Sequence, residues 1–444
     1  MTAEFLEQRS VTSWGRIKRQ RVAVARPQFG DELPRVLQQG GASSLLGVGA
    51  GRSYGDSGLN ERGGLVDMTS MDRILAFDRE RGTLRAEAGL MLGEILRIVV
   101  PRGYFLPTTP GTRFVTLGGA VANDVHGKNH HRAGTFGVSV TRLGMHRSDA
   151  GDIEIAPDEN AALFSATVGG LGLTGLIHWV EFKLHPIKSA WLAAETVPFS
   201  GVGEFLSVAA ASTADWEHTV AWIDCTSGGR SKGVHGLFSR ANFLAAGTLD
   251  PHKEHASASL PVEVPAGLIN RWTLKAFNRL YYAAGCRKRG LRLVHYAPFF
   301  YPLDAVRNWN RAYGRSGFYQ YQCVIPMASA EPAIAQMLLA IAASGEGSAL
   351  AVLKTFGNKP SPGMLSFPFE GVTLALDFAN RSSRTLELFN RLDWIVAQAG
   401  GRLYPAKDGR MPASMFRAGY PMLDRFTPHI DPRFRSDFWR RMSA

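Results

Sequence analysis

The chain has 444 residues, 45% hydrophobic, 20% charged and 10% aromatic, which is long enough for two domains and too apolar for a disordered chain. Its 50 Lys and Arg against 38 Asp and Glu leave a formal charge of +12, spread without a basic tail or any helix-turn-helix, zinc-finger or RNA-binding signature, so no nucleic-acid partner is expected. The cysteines (Cys225, Cys286, Cys323) form no C-x-x-C pair, the N-terminus holds no apolar secretory segment, and no stretch reaches ~18 uninterrupted apolar residues; the expectation is a cytoplasmic protein without zinc, disulfides or a spanning helix.

Residues 42–125 read as short strands and glycine turns. Ser44 to Val48 and Gly64 to Asp67 are apolar strands, and Leu84 to Ala88 alternates with a period of two. Leu92 to Val100 is apolar at helical spacing and stops before Pro101. Leu163 to Val168 runs into Gly169, after which Val180, Phe182 and Leu184 alternate with Glu181 and Lys183 as a half-buried strand. Near residue 190 the texture changes, and from there to about 400 the chain carries most of its Trp and Tyr. Phe318 to Ile325 and Val372 to Phe378 read as strands. Pro332 to Ser344, with proline at the first helical position, and Thr385 to Ala399 read as amphipathic helices. The polar connector 247–262 reads as a mobile loop. The fold class is α+β rather than a strict βαβ alternation.

Three glycine loops stand out. In the first, Gly47-Val48-Gly49-Ala50-Gly51-Arg52-Ser53-Tyr54-Gly55 follows an apolar strand; successive N–H groups in such a turn make a nest for phosphate oxygens, though a plain hairpin turn has the same composition. The second runs from Pro107 to His131. Its Gly118-Gly119 opens a short apolar turn that reads as a helix start and so as an anion site, and His126, Lys128, His130 and His131 crowd behind it without a recognisable metal spacing. The third, Val168 to Gly175, contains G-x-G-x-x-G. The residues after Gly175 alternate as a strand, and the dinucleotide fingerprint needs a helix there, so this loop reads as a turn between strands. Three such loops together fit a large nucleotide held by backbone.

GRSYGD (51–56), PGT…TLGGAVANDVHGKNHH (110–131) and ATVGGLGLTG (166–175) resemble the vanillyl-alcohol oxidase-type FAD-binding family. The resemblance continues through WNRAYGRSGFYQYQCVIP (309–326), LKTFG (353–357), LSFPFEG (365–371) and GGRLYPAKDGR (400–410) into the branch acting on polyprenyl-phosphoryl-β-D-ribose. It implies an FAD-binding domain of 1–188 and 402–444, with an inserted antiparallel-sheet substrate domain, 189–401, flanked by helices. It implies that Gly47 to Gly55, Gly111, Thr116, Leu117, Gly118, Gly119, Asn123, His126, Ile177 and Tyr404 line FAD. On the substrate side it implies Lys128, Tyr301, Gln320, Gln322, Lys354, Phe356 and Lys407, with Trp222 an aromatic candidate for the wall. Relatives that tether FAD use a histidine in the first loop; here Arg52-Ser53 stands in its place, and the first histidine and first cysteine of the chain are His126 and Cys225, so non-covalent FAD is expected. Ala375 and Thr373 stand where the mycobacterial members carry cysteine and asparagine, which leaves the exact lipid or sugar open.

The implied activity is oxidation of the sugar 2′-hydroxyl with hydride transfer to flavin N5, the first half of an epimerisation to an arabinose donor for the cell envelope. Lys407, three residues after Tyr404, is the candidate cation near the flavin, and Lys407 or His126 the candidate base, His126 because histidine titrates near neutrality. Lys128 and Lys354 are candidates for the substrate phosphate, and packing or solvated surface is the alternative for each. Gln320 and Gln322 share one strand face and suit sugar hydroxyls, while Tyr319, Tyr321 and Cys323 face the core. The implied partners are a separate NAD(P)H-dependent short-chain reductase and a peripheral contact with the inner membrane face. The competing reading is a soluble sugar, alditol or aldonolactone oxidase.

Overall fold

The computed structural model describes residues 5, 7–38, 43–227, 234–253, 258–260, 262–263, 269–288, 290–381 and 383–444. Two sheets belong to the first part of the chain. Strands Glu7–Thr12, Arg19–Ala25, Gly64–Asp67 and Leu45–Val48 lie side by side in that order, the last three parallel. A five-stranded antiparallel sheet follows, ordered Ile74–Asp78, Thr83–Glu87, Leu176–Lys183, Val140–Arg147 and Gly151–Ile155. The strand after Gly175 is thus where the alternation placed it. The apolar stripe of helix Leu92–Val99 buries Leu92, Ile95, Leu96 and Val99 against this sheet.

The second part is built on one eight-stranded antiparallel sheet: Arg292–His295, Trp191–Ser200, His235–Phe243, His218–Ile223, Ala351–Phe356, Gly371–Ala379, Phe318–Pro326 and Arg402–Leu403. Helices Gly201–Ser212, Met327–Ser344 and Ser383–Gln398 cover one face, where Ile223, Phe238, Tyr321, Cys323, Leu353, Leu374 and Leu376 meet Phe205, Ile334, Met337, Leu392 and Ile395. Alternation along each strand sends the intervening residues to the opposite face, toward the glycine loops.

One expectation changes here. The helix expected to start at Pro332 begins at Met327, with Pro332 inside it, because the buried positions Ala330, Ala333, Ile334, Met337 and Ile341 extend the packing stripe N-terminally past the proline. This helix, with a mean hydropathy of 1.3, is long and apolar enough to cross a membrane, yet its apolar stripe is spent on the sheet core. Of the connector 247–262, residues 254–257 and 261 lie outside the described residues; its described ends are tied down, Ala190 N–H donating to Thr248 O (2.7 Å) and Ala258–Ser259 pairing in parallel with Val306–Arg307. The C-terminal strip packs both ways. Phe416, Phe438 and Met442 join the core of the large sheet, while Leu45 N–H donates to Arg433 O (2.7 Å) and Tyr54 N–H to Ala406 O (2.9 Å).

Candidate active site

Between the glycine loops and the uncovered face of the large sheet lies a cavity of about 1180 Å³. All three loops reach it: Gly47 to Gly55 from the first, Gly111, Thr116, Gly118, Gly119, Asn123, His126 and Lys128 from the second, Gly172, Gly175 and Ile177 from the third. Gly51 has φ +63°, which only glycine adopts without strain, and open space stands where its Cβ would be. Among the described residues none accepts from the backbone N–H groups of Gly49, Ala50, Gly51, Arg52 or Ser53, so this turn presents a row of free donors. Arg52 lies 4.0 Å from the Trp14 ring, and its buried Nε has no partner among the described residues.

The second loop behaves differently from the expectation. Helix Leu117–Ala122 forms, capped by Thr116, but its first N–H groups are taken: Leu117 donates to Leu90 O, Gly118 to Ala88 O and Gly119 to Thr116 Oγ1. The strand end beneath it has used the donors that an anion would need. Leu117 itself is fully buried in the apolar core and does not reach the cavity, so it leaves the set of expected FAD contacts.

The opposite wall is polar and charged. Register places Trp222, Val352, Ala375 and Gln322 in one row across four strands, with Lys354 beside Thr373 in the next row and Gln320 beside Asp377 on the other side. Lys407 enters from the loop after Tyr404, whose hydroxyl donates to Asn123 O (2.8 Å). The Lys407 Nζ lies 3.8 Å over the Tyr54 ring, and among the described residues no ion pair to it is found. Burial lowers its pKa to about 8 against the pull of Asp377.

Asp377 is the residue that sequence reasoning missed. It is 1% exposed and lines the cavity; Oδ1 accepts from Gln320 Nε2 (2.6 Å), and Oδ2 has no partner among the described residues. Burial raises its pKa to about 7, opposed by the Gln320 hydrogen bond and the charge of Lys407. The signal was present in principle: Asp377 stands two residues from Ala375 and opposite Gln320, but only strand register makes those positions neighbours.

His126 is held from both sides. Gln322 Nε2 lies 3.0 Å from its Nε2 and Lys354 Nζ 3.0 Å from its Nδ1. With the amide oriented to donate also to Thr373 Oγ1 (3.3 Å), the ring proton sits on Nδ1 and faces Lys354 as a neutral amine. An ammonium at Lys354 would instead move that proton to Nε2 and turn the amide over. Either way both ring nitrogens are engaged, and burial, followed by the charges of Lys354, His130 and Lys407, holds the His126 pKa well below its usual value. His126 is therefore neither near-neutral nor free to take a substrate proton. Lys354 is lowered to about 7 by burial and by the charges of Lys128 and Lys407. Lys128, lowered to about 7 by burial, hydrogen-bonds Phe299 O and sits 4.4 Å over the Phe299 ring.

Two expected wall residues lie behind the wall. Tyr301 is 2% exposed; its hydroxyl is 2.7 Å from Thr109 Oγ1, and it is Thr109 that meets the cavity. Phe356 shares the strand face of Lys354 but does not reach the cavity, because it packs beneath His126 and His130, with ring centroids 4.8 and 4.4 Å away. Trp222 lines the cavity and donates from Nε1 to Ala349 O (2.9 Å). Phe277, Tyr281, Lys288 and Arg292 add to the wall from beside Trp222, unanticipated in the sequence.

Known proteins match this sequence. Residues 23–156 match the FAD binding domain family. A decaprenylphosphoryl-β-D-ribose oxidase of Mycolicibacterium smegmatis is 35% identical over 425 residues, 92% of this chain and 91% of that protein. A Streptomyces coelicolor protein named only as uncharacterized is 31% identical over 80% of this chain and all of its own length. L-gulonolactone oxidase of Mus musculus is 28% identical over 31% of each chain. With an FAD-binding fold, a charged wall facing its loops and end-to-end likeness to one of its members, the chain belongs to the decaprenylphosphoryl-β-D-ribose oxidase family of FAD-dependent oxidoreductases.

Proposed function

We propose that this protein oxidises the 2′-hydroxyl of a polyprenyl-phosphoryl-β-D-ribose to the 2′-ketone with non-covalently held FAD, in a flavin domain of 1–188 and 402–444 and a substrate domain of 189–401. The observation that carries the reading is the meeting of a bare-backbone wall and a wall of half-buried lysines and one buried carboxylate across a single cavity. The donors present fit the cofactor: the free N–H row at 49–53 and the orphaned Arg52 Nε suit its phosphates. No histidine or cysteine stands in that first loop to form a covalent link, so acid precipitation should leave all the yellow colour in the supernatant.

When bound, the flavin supplies the acceptor for the carbon-bound hydrogen and its electron pair. The chain has to remove the hydroxyl proton and hold the sugar. Asp377 is the base: the residue lines the cavity, its Oδ2 has no partner among the described residues, and its pKa, raised to about 7, lies near operating pH. Lys407, clamped on Tyr54, supplies positive charge where negative charge develops. Gln320 orients Asp377, and the Gln322–His126–Lys354 relay fixes the polar floor. Lys128, Lys288 and Arg292 supply cations for the substrate phosphate. Ala375 on the wall means that no thiol takes part. Epimerisation to the arabinose donor then needs a separate NAD(P)H-dependent reductase to return hydride to the ketone.

The second reading, a sugar, alditol or aldonolactone oxidase, is favoured by the partial likeness to L-gulonolactone oxidase. Anaerobic mixing separates the two. Polyprenyl-phosphoryl-ribose should bleach the flavin within the first turnover, whereas xylitol and L-gulonolactone should leave it yellow. The opposite pattern overturns the proposal.

A further inference from the structure

Helix Arg271–Cys286 is sixteen residues long, yet only Leu274 and Asn278 in it are buried. Asn278 Nδ2 donates to Asp224 Oδ1 (2.8 Å), and Gly285 packs closely on Leu237, so one narrow strip holds the helix to the body. Most of the rest is exposed, and it carries a large apolar arc: Trp272 is 66% exposed, Leu280 71%, Phe277 49% and Tyr281 48%. At about 100° per residue, Trp272, Ala276, Leu280, Ala283, Phe277 and Tyr281 fall on one arc of about 180°, and Arg271, Lys275 and Arg279 on the neighbouring ~80°. Between residues 271 and 295 there is no Asp or Glu. A water-soluble surface helix normally turns such an arc inward.

The arc is also continuous with the active site. Phe277 and Tyr281, at its inner edge, line the cavity, Tyr281 standing 4.7 Å from Trp222; Lys288 and Arg292 line the same side. An apolar path thus leads from the outer face of the helix to the substrate wall, flanked by cations.

We propose that helix Arg271–Cys286 docks the protein on an anionic lipid bilayer, with Trp272 and Leu280 sunk into the headgroup boundary and the cavity mouth opening onto the membrane. A cationic arc beside an exposed aromatic one is the chemistry of an interfacial helix, and the absence of acidic residues selects anionic over zwitterionic lipid. The purpose of the contact, handing over a polyprenyl tail without drawing it through water, rests on the substrate proposed above; the contact itself rests on the helix alone.

Co-sedimentation of the full-chain holoprotein with vesicles tests it. The protein should pellet with phosphatidylcholine–phosphatidylglycerol vesicles at low salt and far less with phosphatidylcholine alone. Trp272→Asp with Leu280→Asp should lower the partition coefficient by at least about tenfold, and Lys275→Glu with Arg279→Glu should erase the preference for phosphatidylglycerol. These side chains are exposed and off the cavity wall, so flavin absorbance and melting temperature should stay at wild-type values. The proposal is overturned if the wild type ignores both vesicles or if both double variants bind as it does. It is equally overturned if the aspartate pair instead converts a dimer to monomer while vesicles leave the dimer intact, since the face then belongs to a second copy. If a short, water-soluble prenyl-phosphoryl-ribose leaves the wild-type flavin yellow, the substrate reading is lost, whereas vesicle binding by the helix would still support docking.

Discussion

The two walls of the cavity recognise by opposite means. The glycine wall exposes main chain: free N–H groups at 49–53, with side chains held back so that a ligand touches backbone. The sheet wall presents side chains normally kept in water, three half-buried lysines and a buried aspartate, with the lysine pKa values pushed down and the aspartate pushed up. The first wall is specified by what is absent at each position, the second by which charges face which. A substitution on the glycine wall therefore acts through volume, and one on the sheet wall through charge and proton occupancy.

The largest effect should come from removing the base. Asp377→Asn should lower the rate of flavin reduction by about 10²–10⁴-fold with FAD still bound. In the wild type that rate should rise as pH climbs through about 7, when Asp377 gives up its proton, and fall above about 8, when Lys407 loses its charge. The two limbs belong to the pair rather than to either group. Stopped-flow reduction across pH 5.5 to 9.5 checks both, because the asparagine variant should lack the rising limb. A variant that keeps it would return the base to Lys407.

Lys407→Met should slow reduction by about 10²–10³-fold while leaving FAD content unchanged, since the role proposed for Lys407 is to offset developing charge. Loss of flavin instead would move Lys407 from the reaction to the binding of the cofactor.

On the glycine wall the contrast lies between two glycines. A Cβ at Gly55 would run into the Asp408 carbonyl, whereas one at Gly111 meets nothing within 4 Å. Gly55→Ala should destabilise by roughly 1–3 kcal/mol, read as a lower melting temperature and poor FAD retention. Gly111→Ala should melt like the wild type and show only weaker FAD binding by fluorescence titration. Equal melting temperatures for the two would break the comparison.

The smallest effect is expected behind the wall. Tyr301→Phe removes one buried hydrogen bond to Thr109, about 1 kcal/mol or less, and should leave the reduction kinetics within about twofold. A larger kinetic loss would bring Tyr301 back to the substrate.

Much of the glycine wall was legible because turns write themselves locally. A glycine row after an apolar strand, and a period-two pattern after Gly175 that excludes a Rossmann helix, need only neighbours in sequence. Gln320 and Gln322 were legible for the same reason, since a strand fixes which residues share a face. The donors of helix Leu117–Ala122 were misread because their acceptors, Ala88 and Leu90, lie in another segment. Tyr301 and Phe356 do not reach the cavity; the identity of an aromatic ring does not say whether it lines a wall or packs beneath the residues that do.

The sequence by itself determined the three backbone turns, the alternation of the strands and the lack of any tethering side chain in the first loop, all of them properties of short windows. Only the tertiary structure decided that Asp377 meets Gln320, that His126 is gripped by Gln322 and Lys354, and that one helix leaves its apolar arc bare beside the cavity mouth. Those facts depend on strand register and burial. They are set by the whole chain collapsing on one core, and no local stretch carries them.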